Sequence, residues 1–267
     1  MSHIEPGYQP ATPPASSHLD ASIDEGLRAY LLSVYNYMAG GVALSGAVAY
    51  LIYILAVTAN PMDAASVDAN AVALRPGQYL TPVGYALYAT PLALVIALAP
   101  LGAVFFLSWR IERLSPSAAQ AAFWIFAGLM GASLSTIFLR YSVASIAQVF
   151  FITAAAFAAL SLYGYTTQRD LSGWGAFLIM GVFGILIAAV VNLFLQSSGL
   201  QFAISVVGVL VFAALTAYDT HRIKQVYYEL AGNPVVRRKA AIMGALSLYL
   251  DFINLFISLL TLFRDRE

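Results

Sequence analysis

ALSLYLDFINLFISLL, Ala245 to Leu260, lies in an apolar run from Ala240 to Phe263 in which Asp251 is the only acidic or basic side chain between Lys239 and Arg264. A membrane-spanning helix needs about twenty consecutive apolar residues, and this run is long enough. A charge at the centre of such a helix costs about 2.5–3.5 kcal/mol or more, so an acid retained there is a functional candidate by default. Ser247, Asp251, Asn254 and Ser258 recur at steps of four, three and four residues, which puts all of them on one helix face. That face is predicted to meet protein or a water-filled path, as the lining of a pore, rather than lipid.

Six further apolar runs precede it: Tyr37 to Val57, Tyr85 to Trp109, Ala118 to Phe138, Val143 to Tyr165, Trp174 to Leu195 and Phe202 to Tyr218. Composition agrees, because 61% of the 267 residues are hydrophobic and only 10% are charged, against about 25% charged in soluble domains. The fold class is therefore an all-α membrane protein of seven transmembrane helices. Pro91 and Pro100 are predicted to kink the second span, and Pro116 marks the start of the third. Gly40, Gly41, Gly46, Gly181 and Gly184 read as points of close helix approach. Residues 1–28, with Pro6, Pro10, Pro13 and Pro14, read as a disordered polar cytoplasmic tail ahead of a transmembrane domain over 29–267.

With no cysteine, the chain has neither disulfides nor thiolate metal sites. Its net charge of zero gives no global attraction to nucleic acid. The distribution of charge is informative, since basic residues resist translocation. An amino terminus in the cytoplasm places nine of them there: Arg28, Arg110, Arg113, Arg169, Arg222, Lys224, Arg237, Arg238 and Lys239. Arg75, Arg140, Arg264 and Arg266 fall on the other side, with Asp63 and Asp68 in the longest external loop. This asymmetry predicts the amino terminus inside. Arg237, Arg238 and Lys239 are explained by that signal without a lipid-binding role.

Asp219 closes the sixth run, and the helical pattern continues past it through His221, Ile223 and Tyr227 to a turn at Gly232, Asn233 and Pro234. Asp219 and Asp251 then lie on consecutive antiparallel helices, about 15 and 20 Å from their linked ends at 1.5 Å per residue, so they can meet. Two carboxylates in a poorly hydrated site cannot both ionise cheaply, and one proton is held between them. When both ionise, their hard oxygens suit Ca²⁺. The bland alternative pairs Asp219 with Arg222, three residues on. His221, beside Arg222 in a basic segment, reads as a solvated interfacial residue rather than a proton relay.

The segments LTAYDTHRIKQVY (Leu215 to Tyr227) and ALSLYLDFINLFISLL closely resemble the two carboxyl-terminal signatures of the Bax inhibitor-1 family, the transmembrane Bax inhibitor motif proteins. Similarity continues through GASLSTIF from Gly131, SIAQVFFITAAAFAALSLYGYTT from Ser145 and GAFLIMGVFG from Gly175. The resemblance implies seven helices, six of them surrounding the carboxyl-terminal one, and a pH-sensitive calcium leak with no enzymatic activity and no cofactor beyond the calcium ion. It places the family's paired aspartates, the pH sensor and gate, on Asp219 and Asp251, which also serve as the metal ligands. A basic residue at the cytoplasmic end of the second helix, a latch to the sixth-helix acid in the closed state, falls on Arg110 or Arg113. Some members carry a glutamate within the second helix; here the second span has no acid before Glu112.

The YTTQRDLSGWG loop (Tyr165 to Gly175) and the Pro-rich tail are similar to the bacterial branch, which implies the inner membrane and restraint of a membrane-embedded ATP-dependent protease as a partner function. Two rival readings remain. One is a non-conducting regulator that binds other membrane proteins, with the acidic pair only setting conformation. The other is an intramembrane aspartyl protease, suggested by Tyr218 and Asp219; its second Gly-x-Gly-Asp element is missing, since Leu248, Tyr249 and Leu250 precede Asp251.

Overall fold

The computed structural model describes residues 15–67, 70–111, 113–230 and 233–264. The predicted tail over 1–14, and Asp68, Glu112, Gly232 and Arg266, lie outside the described residues. The chain forms helices α1 (Ala15–Ala56), α2 (Pro82–Tyr88), α3 (Leu92–Arg110), α4 (Pro116–Leu134), α5 (Val143–Thr166), α6 (Gly175–Leu195), α7 (Ser198–Glu229) and α8 (Pro234–Arg264). All but α2 are long and apolar enough to cross a membrane, which gives seven spans among the described residues. The chain is a multi-pass membrane protein.

Local signals start these helices where expected. Ser115, Ser142 and Ser197 accept from the backbone N–H three residues on, capping α4, α5 and α7. Asn233 accepts from the N–H groups of Val235 and Val236, and Pro234 occupies the first turn of α8, where its missing N–H is harmless. Two boundaries differ from the sequence reading. α1 begins at Ala15, inside the stretch read as a tail. Pro91 does not kink the second span but separates α2 from α3, while Pro100 is accommodated within α3. Pro91 lies at the start of α3, near the end of the bundle that carries the α1–α2 loop, where a full break is inexpensive because water can satisfy freed carbonyls.

Between α1 and α2 the loop carries strands too short for sequence periodicity to show. Strands β1 (Val57–Thr58), β4 (Ala73–Arg75) and β5 (Gln78–Leu80) form one antiparallel sheet in the order β1-β5-β4, and β2 (Ser66–Val67) pairs with β3 (Asn70–Ala71).

α8 is the most buried span and packs directly on α1, α4, α5 and α7; α3 and α6 join the bundle chiefly through α4 and α7. This is the central carboxyl-terminal helix that the resemblance implied, with its six neighbours in an inner and an outer set. Close approach rests on particular glycines: a Cβ at Gly164 of α5 would collide with the Ala217 carbonyl of α7, and one at Gly131 of α4 would come within 2.6 Å of the Ser45 carbonyl of α1. Gly40 and Gly41 pack on Trp124, Phe123 and Tyr249, and Gly181 packs on Val211, whereas Gly46 and Gly184 have open space around them. Tyr249, fully buried, meets Phe123 and Phe126 edge-on and shares a hydrogen bond with the Ser45 hydroxyl at 2.6 Å.

Candidate functional site

Asp219 of α7 and Asp251 of α8 come together: their buried carboxyl groups lie close enough to interact directly. A hydrogen bond between two carboxyl groups requires a proton on one of them, since two carboxylates are both acceptors. Asp219 lies about 15 Å along the axis from Glu229, and Asp251 about 25 Å from Pro234, so the pair is deep in both helices. Both residues are buried, at 8% and 4% exposure. Asp251 Oδ2 has no conventional donor directed at it, which leaves it available to share a proton or meet a cation.

The surroundings hold Asp219 from one side. Arg222 Nη1 lies 3.8 Å from Asp219 Oδ1, with the arginine side chain 61% exposed and the aspartate side chain 12%. The alternative drawn from sequence, an Asp219–Arg222 pair, therefore coexists with the diacid. An ion pair reaching from an exposed guanidinium is weak. Thr216 and Thr220, fully buried, flank Asp219 on α7; Thr216 donates to the Phe212 carbonyl, and Thr220 is within 3.5 Å of the Tyr35 hydroxyl of α1. Sequence gave no sign of the Tyr35 contact because the partners are separated by 185 positions.

Other predicted residues take different places. Arg110 lays its guanidinium over the Trp109 ring, Arg113 is exposed, and neither is paired with Asp219, whose ion pair is with Arg222. Asn254 Nδ2 donates to the Leu250 carbonyl and Ser258 to the Asn254 carbonyl, so both spend their donors on their own helix. Ser258 also faces Gly208 of α7, and Ser247 is half-buried. His221 corrects the sequence reading: it is buried, 9% exposed, with Nε2 on the Gln225 amide and Nδ1 without a partner. Packing from other helices buries it, and a basic stretch of sequence cannot reveal that.

The clefts of about 690, 520 and 90 Å³ include neither aspartate in their linings, and the pair is enclosed by packed side chains. Among the described residues no cluster of three or more His, Asp or Glu side chains is arranged to hold a metal. Ca²⁺ takes six to eight oxygen ligands, more than two carboxyl groups supply by themselves.

A seven-span bundle with a central helix and two neighbouring carboxyl groups buried within it defines a class of polytopic membrane protein with an intramembrane acidic pair. The chain matches the family described as "Inhibitor of apoptosis-promoting Bax1" over residues 27–267, and it belongs to that family, the Bax inhibitor-1 family. It is 42% identical to an uncharacterised protein of Caulobacter vibrioides over 263 residues, 98% of each chain. It is 42% identical over 246 residues to protein RP147 of Rickettsia prowazekii, covering 92% of this chain and 93% of that one. It is also 39% identical to the inner membrane protein YbhL of Escherichia coli over 243 residues, 91% of this chain and 94% of the other.

Proposed function

We propose that the protein is a pH-sensitive calcium leak in a bacterial inner membrane, gated by the proton shared between Asp219 and Asp251. The observation that carries the reading is the pair of neighbouring carboxyl groups buried between α7 and α8. In the closed packing one proton joins the two helices at this point. Its loss leaves two anions side by side with only an exposed arginine to offset them, a strong incentive for α7 and α8 to separate or for a cation to enter. The inner-membrane location follows the name of the Escherichia coli relative, and a cytoplasmic amino terminus follows the basic residues at the α3, α5 and α7 carboxyl ends.

A second reading, a non-conducting regulator of other membrane proteins such as a membrane-embedded ATP-dependent protease, is favoured by one observation: the diacid lines none of the three clefts. The intramembrane aspartyl protease is less favoured than either reading, since no Gly-x-Gly-Asp precedes Asp251.

Calcium efflux from proteoliposomes, measured across a pH series, tests the proposal. The wild type is expected to leak with a steep pH dependence, and Asp219→Asn and Asp251→Asn to flatten it, because an amide keeps the hydrogen bond but cannot titrate. Unchanged flux and pH dependence in both variants would sink the gating mechanism. A wild type that conducts nothing at any pH, while retaining a specific partner, would instead establish the regulator.

A further inference from the structure

A cleft of about 690 Å³ opens between α1 and α5. α1 rests on α4 and α8, and α5 on α7 and α8, so the two helices flank a gap rather than fill it. Its floor is Phe252 of α8, held edge-on between Phe150 and Phe157. Its walls recede at alanines, Ala39 and Ala43 on α1 facing Ala154 and Ala158 on α5. The lining runs from Arg28 to Ala43 on α1 and from Tyr165 to Phe150 on α5, about 22 Å at 1.5 Å per residue.

Two polar features lie at one end. Arg28 at the mouth is exposed and in no ion pair among the described residues. Lys224 lies at the same end, its Nζ on the Tyr165 carbonyl and over the Tyr165 ring. One turn deeper is Ser161, which is 5% exposed, lines the cleft, and has a hydroxyl without a hydrogen-bond partner. A serine inside a helix ordinarily bonds the carbonyl four residues back; this one does not, and its hydroxyl lacks an acceptor.

We propose that the cleft binds one acyl chain of an anionic glycerophospholipid, with the phosphate at Arg28, an ester carbonyl accepting from Ser161 and the chain lying along Ala158, Ala154 and Phe252. The order of groups matches the order of atoms in such a lipid: charge at the interface, ester just inside it, hydrocarbon beyond. A length of about 22 Å runs through one leaflet of a hydrocarbon core about 30 Å thick and past its midplane. The site stands apart from the diacid and does not depend on ion conduction.

Delipidated protein in detergent, examined by native mass spectrometry with phosphatidylglycerol, phosphatidylcholine of the same chains, and glycerophosphate, tests the proposal. Wild type is expected to hold one phosphatidylglycerol about fivefold more tightly than phosphatidylcholine, the ratio that one basic residue near an anionic headgroup supplies. Arg28→Gln is expected to erase that preference while keeping the lipid. Ala158→Phe, which fills the cleft, is expected to weaken both lipids about fivefold or more, while Ala159→Phe, equally bulky and outside the lining, leaves them unchanged. Ala154→Leu, checked for helix content by circular dichroism, repeats the test should Ala158→Phe fail to fold. Equal lipid retention by the folded cleft-filling variant and Ala159→Phe overturns the proposal. So does glycerophosphate binding as tightly as the lipid, which would mark a chainless anion site, or a co-purifying polypeptide that lipid cannot displace.

Discussion

The buried hydroxyls show how much a single acceptor decides. Tyr249 and Ser45 share a 2.6 Å hydrogen bond at the centre of the bundle, and Ser45 also reaches the carbonyls of Ala127, at 2.7 Å, and Gly41, at 3.0 Å. The two deletions are therefore unequal. Ser45→Ala leaves the Tyr249 hydroxyl buried and unpartnered, a loss of about 1–3 kcal/mol. Tyr249→Phe leaves Ser45 with carbonyl acceptors and is expected to lose less, near the average of about 0.6 kcal/mol for hydrogen bonds between membrane helices. Thermal unfolding of the purified variants checks the order; a Tyr249→Phe protein less stable than Ser45→Ala would contradict it. The same reasoning separates His221 from Asp219. His221 is buried but bonded through Nε2 to its own helix, whereas Asp219 interacts with Asp251 of α8 and so can report its protonation to a second element.

At the scale of elements, the contact between α5 and α7 places the acidic pair. Gly164 lets the α5 backbone lie against the Ala217 carbonyl, two residues before Asp219. Gly164→Ala is expected to push the helices apart, to destabilise the bundle by about 1–3 kcal/mol and to change the pH response of flux, because Asp219 moves with its helix. Gly184→Ala, which meets open space, is expected to leave thermal stability and flux as they are. A Gly164→Ala protein with wild-type unfolding and pH profile would show that α5 does not position the diacid.

Elements also divide what sequence reveals from what it hides. The seven spans were legible because hydrocarbon demands long apolar runs, and the aspartate pair was legible because an acid inside such a run is costly. The helix depths were close enough to predict a meeting without any contact being visible. The break at Pro91 was not legible, since a proline signals a perturbed helix but its depth decides between kink and break. Nor were the strands between Val57 and Leu80, two or three residues each, nor the Tyr35–Thr220 contact, because facing side chains from separate helices leave no periodic trace in either.

For the whole molecule, alternation of seven spans gathers most basic residues at one end, and the β-strand region lies at the other. Arg28, Arg113, Arg169, Lys224 and Arg238 belong to the α1, α3, α5, α7 and α8 ends that share the first side, while the loop around Met62 is on the second. Nothing in the bundle core distinguishes the two orientations, so the choice falls to the loops and to the difficulty of translocating lysine and arginine. The absence of cysteine makes this directly measurable. Met62 is 93% exposed and Gln168, in the α5–α6 loop, is exposed at the opposite end. Single-cysteine proteins Met62→Cys and Gln168→Cys, treated with a membrane-impermeant maleimide, are expected to behave oppositely in cells with a permeabilised outer membrane and an intact inner one. Met62→Cys labels at once, and Gln168→Cys labels only after the inner membrane is opened. The reverse pattern would place the amino terminus outside, and with it the link between α7 and α8 on the external face. Under the proposed gating, the pH that sets the protonation of the Asp219–Asp251 pair would then be that of the exterior.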